Sequence, residues 1–229
     1  MISIIIPVYN GAEWLAEAIE SALGQEYPIE VIIIDDGSTD NSLEIAKKYI
    51  KSSWGYSCKV ISQVNKGLAS ARNTGIMNAK NNWILFLDAD DILLPNCISQ
   101  IEQRMRENDC DIIAPSFREF GLGNREVILM QEPKLEDFRT GNRLGYCAAI
   151  RRSVLLEVGG YSPKMVEGYE DLALWCDLLS RGKKVVTIPE VLWQYRIKKE
   201  SMYTKITPEI HRKLIAQINL DVPKALLTF

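Results

Sequence analysis

Three carboxylates, Asp88, Asp90 and Asp91, crowd the end of an apolar run in the stretch NWILFLDADDILLP at 82–95. Carboxylates packed this closely repel one another and raise one another's pKa unless a cation joins them. The sequence has one histidine, His211, and five scattered cysteines without metal-ligand or redox-motif spacing. A histidine-based metal site or triad is therefore disfavoured. Oxygen-only ligation favours Mg2+ or Mn2+, and Mg2+ is commonly held by one or two carboxylates plus substrate phosphates. The cluster thus points to a diphosphate-bearing substrate. Asp91 has a plainer account as well, as the cap of the helix that follows.

A second acidic strand end reads IIIDDGST. Asp35 could hydrogen-bond its own turn, and Asp36 could accept from a nucleobase N–H or a ribose hydroxyl. Gly37 permits a tight turn or the close approach of a ligand. A capped turn would explain either aspartate alone. Arg72, in GLASARNTG, could reach the same edge from a helix and bind a carboxylate or a phosphate. Lys66, in the preceding loop, is a second cationic candidate; ordinary ion pairing is the plainer account of both. Glu170 and Asp171 open a helix in GYEDLALW. The helix dipole explains one negative charge there, and the same place suits a general base. Adjacent helix residues point apart, so one of the two should face a substrate.

These residues need elements to hold them. With 229 residues, 47% hydrophobic, the chain suits one domain. Continuous apolar runs at 2–6, IEVIIID, CKVISQ, WILFLD and CDIIAP read as buried strands. Helical patterns lie between them, the first with Asn10 and Glu13 as a capping box. The alternation predicts an α/β fold over residues 1–115, an open, mostly parallel sheet with helices on both faces. Ligands of such sheets sit beyond the carboxyl ends of the strands, where the polar signals fall. Residues 116–229 are less regular. EVILM, CAAI, KVVTIP and VLWQYRI are expected strands, Pro189 separating the last two. The stretch TPEIHRKLIAQINL at 207–220 reads as an amphipathic helix with Ile210, Leu214 and Ile218 in one stripe; it could pack on the core or rest on a membrane surface. Trp14, Trp54, Trp175 and Trp193 are candidates for the core or for an acceptor wall. The net charge of -3 and the lack of a basic block exclude a phosphate-tracking surface, so no nucleic-acid partner is expected. The N-terminal run enters a strand directly and reads as neither a leader nor a span, and reduced, partly buried thiols fit a cytoplasmic protein. GxGxxG and GxxxxGK[ST] are absent, which disfavours ordinary dinucleotide and P-loop readings.

Taken together, PVYN (7–10), DDGSTD (35–40), NKGLASARNTG (65–75), FLDADD (86–91), GYEDLALW (168–175) and YRIKKESM (195–202) resemble the family 2 glycosyltransferases, in the family's order and over nearly the whole chain. The resemblance implies a single Rossmann-like GT-A domain. Residues 1–115 would form its nucleotide-sugar half, and 116–229 the acceptor-side half with a C-terminal amphipathic helix. It implies that Pro7, Val8 and Tyr9 line the nucleotide pocket, that Asp36 contacts the base with Arg72 nearby, that Asp88 meets the ribose or sugar, and that Asp90 coordinates Mn2+ or Mg2+ bridging the diphosphate. Asp171 matches the family's catalytic base. The donor would be a UDP-sugar, with dTDP- or GDP-sugars as variants, and the acceptor a saccharide or a lipid-linked saccharide.

One departure stands out. Where the family often has histidine after its YR pair, this chain has Lys198. At neutral pH a lysine contributes a point charge to a diphosphate but ligates no metal. Arg196 is a second candidate for the diphosphate. The processive QxxRW signature is missing, so a non-processive enzyme, cytoplasmic or at the inner face of the membrane, is expected. Two other readings share some of these features. A sugar nucleotidyltransferase also needs carboxylates and a metal, but usually carries a basic Gly-rich loop where PVYNGAEWL stands. A degenerate transferase domain acting as a binding module would have no need of Asp36, Asp88, Asp90 and Asp171.

Overall fold

The computed structural model describes residues 1–53 and 56–229; Trp54 lies outside them. Among the described residues, ten strands form a mixed, mostly parallel sheet. They are β1 (Ile2–Val8), β2 (Ile29–Asp35), β3 (Lys51–Ser53), β4 (Tyr56–Ser62), β5 (Trp83–Phe86), β6 (Ile92–Leu93), β7 (Ile112–Gly121), β8 (Glu126–Val127), β9 (Ala149–Arg151) and β10 (Val185–Ile197). Their order is β3-β4-β2-β1-β5-β9-β7-β10-β6, with β8 on β7. The helices are α1 (Leu15–Leu23), α2 (Ser42–Lys47), α3 (Leu68–Asn78), α4 (Cys97–Glu107), α5 (Arg152–Val158), α6 (Glu170–Ser180) and α7 (Pro208–Asp221).

β1 and β2 are buried along their whole length, as continuous apolar strands covered on both faces must be. Their parallel register sets Val8 beside Asp35 and Asp35 beside Ser62, while Ile5 sits beside Phe86. The acidic turns after β2 and β5 therefore emerge on one edge, next to the end of β1. The alternation breaks at β9, which runs antiparallel to both β5 and β7 and joins the two parallel blocks.

Several local expectations are corrected. α1 buries the stripe Leu15, Ala18, Ile19 and Ala22, but Asn10 does not cap it. Asn10 instead adopts φ 51°, and its Oδ1 accepts from the Thr39 N–H at 2.8 Å, tying the end of β1 to the turn after β2. KVVTIP and VLWQYRI form one strand, not two. The sheet absorbs Pro189, which has no N–H to donate, in a register shift between Ile188 and Val191. EVILM contributes only the two residues of β8. The apolar stripe of α7 packs on the core, where Leu214, Ile215 and Ile218 are buried. No helix among the described residues is long and apolar enough to cross a membrane. All five cysteines are buried and free; Trp175 and Trp193 are core residues.

α3 lies close on β1 because Gly75 lets it. A Cβ at Gly75 would stand 2.4 Å from Ile5 Cγ2. Alanine is the better helix former by about 1 kcal/mol, but overpacking a filled interface costs about 1–3 kcal/mol. Gly75→Ala should therefore lower the urea midpoint at an unchanged slope; a midpoint at or above the parent's would show that the interface has slack.

Candidate active site

A cavity of about 730 Å³ opens at the carboxyl edge of the sheet. Pro7, Val8 and Tyr9 at the end of β1 form one wall, and Asp36, Asp88 and Asp90 reach it from the turns after β2 and β5. Glu170 and Asp171 enter from the start of α6. The sequence-predicted residues thus converge, with two exceptions: Lys66 and Arg196 are not among the lining residues.

Arg72 lies at the centre and is fully buried. Its Nη2 donates to Asp88 Oδ1 and its Nη1 to Glu170 Oε1, both at 2.7 Å. The rings of Phe86, Tyr146 and Tyr161 lie 5.0–5.9 Å from its guanidinium carbon. Burial opposes its charge, but the carboxylates of Asp88 and Glu170 outweigh that and raise its pKa further. Of the two ligand types expected for Arg72, the structure shows carboxylate. Burial likewise pushes Asp88 up, against the pull of Arg72.

The three carboxylates of the DADD turn do separate work. Asp91 is buried, accepting from the Tyr146 hydroxyl and from the Arg196 N–H at 2.7 Å. Burial, then Asp90 and Asp88, raise its pKa well above the usual range. It anchors the turn and caps no helix. Arg196 clasps the turn from outside: Nε donates to the Asp90 carbonyl at 2.7 Å, Nη2 pairs with Glu17, and the guanidinium stacks between Trp14 and Phe120. Asp90 is the carboxylate left facing the cavity, and the Lys198 ammonium pairs with it.

Among the described residues, no group of three or more His, Cys, Asp or Glu side chains is arranged to hold a metal ion. Asp90, paired with a lysine and with no carboxylate, suits an octahedral Mg2+ or Mn2+ only when a diphosphate and water complete the shell, which is how Mg2+ is commonly held. The residues fit a cation that arrives with such a ligand. They do not form a closed protein cage.

Asp36 is buried and grips the loop before α3. It accepts from Gln63 Nε2 at 2.7 Å, from the Lys66 N–H at 3.0 Å and from the Gly67 N–H at 2.8 Å. Lys66 therefore supplies its backbone to the site, while its side chain is exposed. Gly37, at φ 73°, lets this loop approach: a Cβ there would meet the Asn65 nitrogen at 2.8 Å.

α6 starts abruptly. Gly168 and Tyr169 both have positive φ, 133° and 60°, a strained turn for tyrosine. The turn aims the two acids apart, Glu170 toward Arg72 and Asp171 toward the cavity rim. There Asp171 Oδ1 accepts from the Leu172 N–H at 2.7 Å, and Oδ2 from Asn142 Nδ2 at 2.9 Å. Burial, then the Glu170 charge, raise the pKa of Asp171 to about 7.

Tyr146 and Asn142 were not foreseen. Tyr146 accepts from the Asp88 N–H at 3.0 Å and donates to Asp91. Its partners lie 55 and 58 residues away, a separation no local pattern reveals. The available signal was position: both residues precede β9, which enters the sheet beside β5.

The model of the family described as Glycosyl transferase family 2 matches residues 3–159. Over 227 residues the chain is 31% identical to the UDP-Glc:alpha-D-GlcNAc-diphosphoundecaprenol beta-1,3-glucosyltransferase WfaP of Escherichia coli, covering 96% of this chain and 85% of that protein. Other relatives are longer: the chain spans 39%, 38% and 17% of three bacterial glycosyltransferases that it matches at 35–40% identity. Two solved structures share the fold. S. aureus TarS 1-349 in complex with UDP-GlcNAc has TM-score 0.78 at 18% identity, over 96% of this chain and 67% of that one. The mannosyltransferase PcManGT of Pyrobaculum calidifontis, in complex with GDP-Man and Mn2+, has TM-score 0.70 at 17% identity, over 98% and 71%.

Removing Arg72 would leave Asp88 and Glu170 without their buried counter-charge. Breaking such a pair costs about 3–5 kcal/mol. Arg72→Ala should therefore unfold at much lower denaturant than the parent, and a midpoint within error of the parent's would show the guanidinium to be dispensable.

Proposed function

The chain belongs to glycosyltransferase family 2, and on that premise we propose that it moves a sugar from a UDP-sugar to a hydroxyl of a saccharide or lipid-linked saccharide, inverting the anomeric centre, in the making of a cell-surface polysaccharide. The observation that carries this reading is one cavity holding two kinds of carboxylate. Asp90 faces it beside a lysine, and Asp171 stands at its rim with a pKa raised to about 7. WfaP, by name, uses UDP-Glc and a lipid diphosphate-linked sugar, which supports UDP as the nucleotide. A lipid-linked acceptor would bring the enzyme to the cytoplasmic face of the membrane.

In this reading the uracil end lies against Pro7, Val8, Tyr9 and Asp36, and the grip of Asp36 on the Lys66 and Gly67 N–H groups shapes that end. Asp88, held by Arg72, meets the ribose or the sugar. Asp90 would hold Mn2+ or Mg2+ together with the diphosphate oxygens, and when bound that ion neutralises charge on the leaving group. Lys198 stands beside it as a second positive charge for the diphosphate. The acceptor oxygen attacks the anomeric carbon from the side opposite the diphosphate. Its proton passes to Asp171 as the bond to the diphosphate breaks. A single displacement needs no enzyme nucleophile and inverts the centre. The paired donors from Leu172 and Asn142 fix both oxygens of Asp171, so the base is oriented before the acceptor arrives.

The sign of the pH dependence follows. Asp171 accepts a proton only when ionised, so kcat/KM should rise with pH through about 7 and level off above. Asp171→Asn should keep donor affinity by calorimetry and lose about 10²–10⁴ in kcat; normal turnover would remove the base. Asp90→Ala should abolish the dependence of donor affinity on Mn2+, and an unchanged Mn2+ titration would move the ion elsewhere.

A further inference from the structure

A second cavity of about 650 Å³ adjoins the first. The two meet across Tyr195, Lys198 and Ser201, which line both. Asn142 lines the second cavity, and its amide is bonded to Asp171 on the first. A molecule in the second cavity therefore lies one side chain away from the candidate base.

Two features of its walls give the chemistry of an occupant. The first is Arg143, the neighbour of Asn142 in the chain. Its Nε donates to the Asp137 carbonyl at 2.8 Å and its Nη2 to Thr140 Oγ1 at 2.7 Å. Both acceptors are neutral, and among the described residues no carboxylate forms an ion pair with it. The other arginines here are committed, Arg125 to Glu119 at 2.7 Å and Arg196 to the DADD turn. A guanidinium held in place by neutral groups, with N–H donors left over, is preorganised for an anion. The second feature is an apolar strip along the same wall, where Ile128 and Met130 are 56% and 47% exposed.

We propose that the second cavity is the acceptor subsite for a saccharide that carries a phosphate, with Arg143 on the phosphate and Tyr195, Lys198 and Ser201 at the passage through which the reacting hydroxyl reaches Asp171. This rests on the transferase reading above and names its acceptor class. The phosphate can belong to a free sugar phosphate or to a lipid-linked sugar diphosphate; the apolar strip is where an alkyl chain would run in the second case.

The test compares three acceptors with one sugar: the neutral methyl glycoside, the 1-phosphate and a short-chain alkyl diphosphate. Arg143→Ala should reduce the preference for a phosphorylated acceptor over the glycoside, as a ratio of kcat/KM, by about tenfold or more, mainly through KM. Arg143→Lys should restore part of it. The paired substitution Ile128→Ser, Met130→Ser should weaken only the alkyl diphosphate if the natural phosphate is a lipid's, and neither phosphorylated acceptor if it is a free sugar's. Calorimetric binding of the phosphorylated acceptors supplies the same comparison without turnover. Equal losses for all three acceptors, or parent enzyme with no preference for phosphate, would overturn the subsite while leaving the transferase reading intact. Failure to bind or hydrolyse any UDP-sugar would instead remove that reading.

Discussion

The site depends on one buried positive charge. Arg72 has no water to solvate it, so it survives only by pairing, and its two partners lie 16 and 98 residues away. Asp88 belongs to the turn after β5, and Glu170 to the first turn of α6. The neighbours of those partners do the facing outward: Asp90 is two residues from one, Asp171 is next to the other. The ion-paired triad thus fixes the spacing between Asp90 and Asp171. The carboxylates that look most reactive by charge count, Asp88 and Glu170, are the ones whose negative charge the fold consumes.

The DADD turn divides its charges in the same way. Asp91 faces inward to Tyr146 and the Arg196 backbone, Asp88 gives one oxygen to Arg72 at the cavity wall, and Asp90 meets the Lys198 ammonium there. Three carboxylates on four residues are tolerable because each meets a different partner. Lys198 holds a place beside Asp90 that a neutral imidazole could not fill as a permanent charge.

Most of the sheet was readable because burial on both faces leaves an unbroken apolar run, and the ends of those runs marked the edge where ligands sit. What was not readable obeys longer-range rules. Asn10 looked like a helix cap because its spacing from Glu13 is local, yet it serves a turn 29 residues on. Pro189 looked like a break because the isolated residue lacks a donor, yet the neighbouring strand tolerates a shift of register. Arg196 was expected at the diphosphate from its place in the YR pair that resembles the family's motif. In the fold it faces a carbonyl, a glutamate and two rings. Asn142 and Tyr146 sit in a stretch with no periodic signal, and only the pairing of β9 with β5 brings them to the site.

The left-handed turn at Tyr169 extends the site further than its lining. The Tyr169 hydroxyl meets His211 Nδ1 at 2.8 Å, 42 residues along the chain in α7. Backbone strain persists only where its surroundings hold it, and here the brace comes from near the carboxyl terminus. α7, none of whose residues line the first cavity, therefore acts as a buttress to the entry of α6. Trimming the chain's tail would slacken the aim of Asp171 without touching a single cleft residue.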